Sequence, residues 1–153
     1  MNNTVGQGST QEGQPTVSYS LELAWQEAQG RSLEVLLRSR LCNSCRAGES
    51  RPRSRKASDV STWGRDELLA QIRVCCSRKD SFINARTPIV EAAFRLLLSK
   101  GTPMTLDEMA AEIAQRRGQH LASSEALKGL LDKVLQQDSF YGFQRLASSK
   151  QGS

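Results

Sequence analysis

The chain has 153 residues, of which 38% are apolar, 24% charged and only 5% aromatic, and it carries a formal net charge of +5. That composition belongs to soluble globular proteins rather than fibrous ones, and no run of about 18 apolar residues is present to cross a bilayer. The apolar residues suffice for a small core but not for a deep substrate cavity, which argues against a large enzyme.

Residues 1–17 are rich in Gly, Ser, Thr and Gln and read as a disordered tail. They lack the basic and apolar regions of a secretory signal, so the expected location is a reducing cytoplasm. From Ser18 to Arg40, the positions Leu21, Ala24, Trp25, Ala28, Leu33, Leu36 and Leu37 recur at steps of three and four. This spacing predicts one amphipathic N-terminal helix over 18–40, with Gly30 the one place where it could break. Trp25 and Trp63 are expected to be packing anchors.

The positive charge is local. Residues 1–30 hold three Glu and no Lys or Arg, whereas residues 31–56 hold eight basic side chains against Glu34 and Glu49. Arg38, Arg40, Arg46, Arg51, Arg53, Arg55 and Lys56 lie in this stretch, and its second half, RAGESRPRSRKAS, predicts a flexible loop over 46–62. Each Arg could release counterions from a nucleic-acid backbone, which is the functional reading. The bland reading is a solvated linker, and no aromatic residues interleave to stack on bases.

The cysteines define the next module, over 41–86. Cys42-Asn43-Ser44-Cys45 has the spacing of a metal knuckle and resembles half of a zinc ribbon or finger, and Cys75-Cys76 are the only other thiols. Four thiolates from the two pairs would close a tetrahedral structural zinc site. Adjacent cysteines on a regular helix point about 100° apart, so joint ligation requires the helix expected over 66–76 to end there. If only one of the second pair binds, Asp80 or His120 could supply the fourth ligand. A redox pair at Cys42 and Cys45, or thiols with no special role, are the competing readings.

Regular structure is clearest over 87–147. Thr87-Pro88 marks a helix start, Ile89, Ala92, Ala93, Leu96 and Leu97 form an apolar stripe, and Lys100-Gly101 marks its stop. Thr105-Leu106-Asp107-Glu108 is a capping box opening a helix with Leu106, Met109, Ala110 and Ile113 inward. Ser123 or Ser124 caps a third helix with Leu127, Leu130, Leu131, Val134 and Leu135 inward. The run Phe140-Tyr141-Gly142-Phe143-Gln144-Arg145-Leu146 reads as a short strand, and 148–153 as a second tail.

Helix, short Pro-Met-Thr extended piece, helix, helix, strand is the order of a winged helix-turn-helix. Through EAAFRLLLSKGTPMTLDEMAAEI and ALKGLLDKVLQQDSFYGFQRL, residues 89–146 resemble the HARE-HTH winged helix of the RNA polymerase delta-subunit type. The resemblance implies contact with nucleic acid or with the transcription machinery. The terminal hairpin is abbreviated, however, and the third helix presents Glu125, Lys128, Asp132, Lys133, Gln136 and Gln137, whose charges nearly cancel. Lys128 and Lys133 are its only candidate phosphate contacts.

No catalytic constellation is visible. The single histidine, His120, sits in a Gly-Gln-His-Leu segment, the phosphate-binding and nucleophile motifs are missing, and Glu108, Glu112 and Arg116 form a charge ladder. The expected fold class is mainly α: a winged helix-turn-helix with short β-strands, preceded by an N-terminal helix and a small four-cysteine zinc module. The expected function is that of a regulatory or accessory factor, not an enzyme, binding nucleic acid (DNA above all) or RNA polymerase and its transcription partners. No membrane or small-molecule substrate is implied, and a homodimer is compatible. The rival functions are a protein–protein adaptor with a winged helix that does not touch DNA, and a thiol redox sensor.

Overall fold

A computed structural model describes residues 15–50, 60–119 and 124–149. The described chain is mainly helical, with one small antiparallel sheet. In chain order it runs β1 (Pro15–Leu21), α1 (Ala24–Ala28), α2 (Leu33–Arg38), α3 (Asn43–Arg46), α4 (Arg65–Val74), α5 (Ile89–Lys100), β2 (Met104–Thr105), α6 (Leu106–Arg116), α7 (Ser124–Gln137) and β3 (Phe143–Ser149). Short 3-10 turns at Val60–Thr62 and Cys76–Arg78 flank α4.

The first departure from expectation lies at the front. Residues 15–21 form the middle strand of the sheet, whose order is β2-β1-β3. Val17, Tyr19 and Leu21 alternate with Thr16, Ser18 and Ser20, the period-two pattern of a strand with one buried face. Tyr19 stands opposite Met104 on one side and Arg145 on the other. Its hydroxyl donates to Asp132 Oδ1 at 2.6 Å, and Arg145 grips the same carboxylate at 3.0 and 3.2 Å, which fixes α7 to the sheet. The partner of β3 is therefore the N-terminal strand, which completes the sheet that the abbreviated C-terminal hairpin left short.

The single helix expected over 18–40 is instead a strand and two short helices. Gly30, at φ 78°, turns the chain after α1, and the Ser32 hydroxyl accepts from the Val35 N–H to start α2. The flexible loop expected over 46–62 is structured at both ends, by α3 and by the turn at Val60–Thr62, while 51–59 lie outside the described residues.

Helix α5 is the centre of the core. Ala92, Ala93, Phe94, Leu96, Leu97 and Leu98 are all buried, so it is covered on nearly every side, not only along the expected stripe. Gly101 ends it in the left-handed conformation, φ 73°. Thr87 does not cap it. Its hydroxyl accepts from the Asn84 N–H at 2.9 Å in the preceding turn, and Pro88 stands at the cap position. The Thr105–Glu108 capping box opens α6 as expected, with bonds of 2.9 and 3.1 Å. On α7, Leu127, Leu131 and Leu135 are buried, but Leu130 is exposed rather than inward, and Ser123 lies outside the described residues.

One continuous core joins Leu33, Trp63 and Leu68 of the first half to Met109 and Leu131 of the second. Front and back are thus interleaved through the sheet and the core, instead of standing as a separate module and domain. No described helix is long and apolar enough to cross a membrane.

Candidate metal centre

Two chain breaks bring the four cysteines together. After α2, the chain extends through Cys42, at φ −75° and ψ 169°, and then makes the single turn of α3, so that Cys42 and Cys45 lie on one side of a knuckle. Helix α4 stops at Val74, and Cys75, at φ −122° and ψ −64°, leaves helical geometry before the 3-10 turn that begins with Cys76. This is the helix end that joint use of Cys75 and Cys76 requires.

The sulfur of Cys42 lies 3.6 Å from that of Cys45 and 3.8 Å from that of Cys75, and Cys45 and Cys76 are 3.6 Å apart. Zinc bound tetrahedrally to sulfur at about 2.3 Å sets the ligand sulfurs about 3.8 Å apart. The observed spacings fit that edge, and they far exceed the about 2.0 Å of a disulfide bond. Cys42, Cys45 and Cys76 all lie within 4.8 Å of one another, with Cys75 reaching the group through Cys42. The four thiols form a cluster compatible with a metal site.

The backbone supports charged sulfur here. The Cys42 N–H points at the Cys76 sulfur, 3.2 Å away. Burial pushes the Cys42 thiol up, but hydrogen bonds from the Cys45 backbone and the Ser44 hydroxyl, and those with the neighbouring thiols, outweigh it and bring the group down to about 6. Burial first, and the shared bond to Cys42 second, raise Cys45 to about 11. Burial likewise raises Cys76. One sulfur of the cluster is thus readily ionised while burial keeps its two buried partners protonated. A cleft of about 240 Å³, lined in part by Arg40, Arg46, Arg95, Cys42 and Cys76, opens beside them.

The basic candidates divide into three groups. Arg40 is committed to Glu91 through two bonds, and Arg46 folds back onto the carbonyls of Leu41 and Ser39. Lys128 is held by Asp107 at 2.8 Å, so neither it nor Asp132 is the open polar group expected on α7. Arg38 is half-buried and Lys133 exposed. Arg51, Arg53, Arg55 and Lys56 lie outside the described residues, as does His120, while Asp80 is exposed. Glu108 is taken up by its capping box, and Glu112 pairs with Arg116 and Lys100.

Sequence reasoning missed Glu91, which gathers Arg40, Arg95 and Tyr141 around one carboxylate, and Gln71, a buried amide beside the cysteines. Gln71 had a legible signal: it sits on the buried side of α4, next to Leu68 and Ile72 and one turn before Cys75. Compared with family models, with curated proteins and with solved structures, the chain matches none, so the functional reading rests on this geometry.

Proposed function

We propose that the chain is a zinc-braced winged-helix protein that binds nucleic acid as an accessory factor of transcription. The observation that carries this reading is three sulfur–sulfur spacings of 3.6, 3.8 and 3.6 Å, close to the edge of a tetrahedral zinc–sulfur site, with exposed Arg78 and Lys79 beside it. Ser50, from which the run Arg51, Arg53, Arg55 and Lys56 departs, donates to Cys75, and exposed Arg78 and Lys79 follow Cys76 closely. The order α5, β2, α6, α7, β3 supports the winged-helix part, with β1 standing in for the hairpin strand, as does the resemblance of 89–146 to the delta-subunit type.

In this reading the metal is structural: it ties α3 to the end of α4 and fixes the root of the basic run. Phosphate contacts come from that run, from Arg78 and Lys79 and from exposed Lys133 on α7, whose Lys128 is already paired. A gel-shift titration with duplex DNA and with RNA at increasing salt tests it. Binding should weaken along a straight line of log affinity against log salt, with a slope that flattens when Arg51, Arg53 and Arg55 are changed to Ala. No shift, or a shift insensitive to salt, contradicts it.

One observation favours a second reading, a protein–protein adaptor. Leu130 is 46% exposed on the outer face of α7, a surface suited to an apolar contact. Capture of transcription proteins that survives nuclease treatment would distinguish it.

A further inference from the structure

The four sulfurs are not equivalent. Cys42, Cys45 and Cys76 form a closed triangle, whereas Cys75 touches it at one corner and is the outlying member. Its sulfur accepts a hydrogen bond from the Ser50 hydroxyl at 3.5 Å. Ser50 Oγ in turn accepts from Gln71 Nε2 at 2.8 Å.

Gln71 calls for an explanation. It is 4% exposed, surrounded on its helix by buried Leu68, Leu69 and Ile72, and an amide in such a place is costly unless its donors are used. Its Nε2 therefore serves the cluster by way of Ser50, which donates to Cys75. Donors of this kind orient thiolate ligands and spread their negative charge.

We propose, resting on the metal reading above, that Gln71 and Ser50 are positioning residues of the metal centre, which deliver Cys75 to the fourth coordination position. Cys75 is the ligand whose place depends most on this support. The other three are set by the α3 turn, by the Cys42 N–H and by burial. Neither Gln71 nor Ser50 touches the metal; both act through the sulfurs.

The test loads the full chain and three variants, Ser50→Ala, Gln71→Leu and Cys75→Ser, with Co²⁺ alone. Sulfur-to-cobalt charge-transfer absorption counts the bound thiolates, and competition with a chelator gives affinity. The unchanged chain should take one Co²⁺ with four thiolates, and Cys75→Ser should lose one thiolate from the spectrum. Ser50→Ala and Gln71→Leu should still bind one ion, about 10- to 100-fold more weakly, with spectra displaced toward that of Cys75→Ser. Adding Ser50→Ala to Cys75→Ser should then cost nothing further. If Gln71→Leu fails to fold, the variant at half-buried Ser50, Ser50→Ala, decides alone. A four-thiolate spectrum in the unchanged chain, with Ser50→Ala equal to it in both spectrum and affinity, overturns the positioning role and leaves the metal reading standing. An unchanged chain that takes up no cobalt overturns both.

Discussion

The guanidinium of Arg40 closes on the carboxylate of Glu91 through two parallel bonds, Nε to Oε2 at 2.9 Å and Nη2 to Oε1 at 2.7 Å. Arg40 stands two residues before the first cysteine and Glu91 in the first turn of the central helix, so this pair fastens the cysteine knuckle to the core. Arg95 adds a third bond at 2.7 Å and the Tyr141 hydroxyl a fourth, drawing the start of the C-terminal strand to the same point.

The Arg40 and Glu91 side chains are 14% and 13% exposed, so removing the carboxylate strands two arginines in a poorly solvated place. Glu91→Ala is expected to cost about 3–5 kcal/mol in urea unfolding. Burial alone would raise the Glu91 carboxyl, but the bonds from Arg40, Arg95 and Tyr141 prevail and hold it below its ordinary value of 4.5. Because the folded-state value is the lower one, the stabilisation is fully present above pH 4.5 and is lost as the pH falls through the folded value. Stability measured from neutral pH downward should therefore fall less steeply in Glu91→Gln than in the unchanged chain. Parallel curves would refute the assignment.

Gly142 supplies a second test. At φ 84° it is in the left-handed region, and an added Cβ would lie 2.8 Å from Trp25 Cβ and 3.0 Å from the Glu22 carbonyl oxygen. Gly142→Ala is expected to lose about 2–4 kcal/mol, the sum of backbone strain and overpacking. Gly30 has a similar φ of 78° with nothing within 4 Å, so Gly30→Ala should lose only about 1–2 kcal/mol. Equal losses would show that the Trp25 contact is unimportant.

The role of β1 predicts the behaviour of a fragment. Residues 87–149 contain α5 to α7 and β3, but without β1 the strand β3 loses the partner it has over its whole length, and Asp132 loses Tyr19. That fragment should lack the cooperative unfolding transition of the full chain, and addition of residues 15–86 should be required to restore it. A cooperative transition in 87–149 alone would contradict the interleaved fold.

What can be read in advance is local. The Thr105–Glu108 box, the Gly101 stop and the buried positions of α6 are each set by residues within one or two turns. The meeting of the two thiol pairs is legible as well, because so few cysteines leave few ways to close a site. The strand β1 is not, although Val17, Tyr19 and Leu21 alternate cleanly. Leu21, Ala24, Trp25 and Ala28 also fit a helical spacing, and only the distant partners Met104 and Arg145 decide between the two. Arg40 looks like a phosphate contact for the same reason. Its partner is 51 residues away, and nothing near it in the sequence reveals that its charge is already spent. The neighbours Leu127 and Leu131 suggest an inward Leu130, while the helix turns it out to solvent.

A joint metal and thiol count on the 153-residue chain, purified without chelator, tests the metal centre most directly. One zinc ion per chain is expected, with four thiols that resist alkylation until a chelator removes the metal, at which point all four react and the thermal transition drops. A metal-free chain with four freely reactive thiols, or with a disulfide between Cys42 and Cys45, would contradict it.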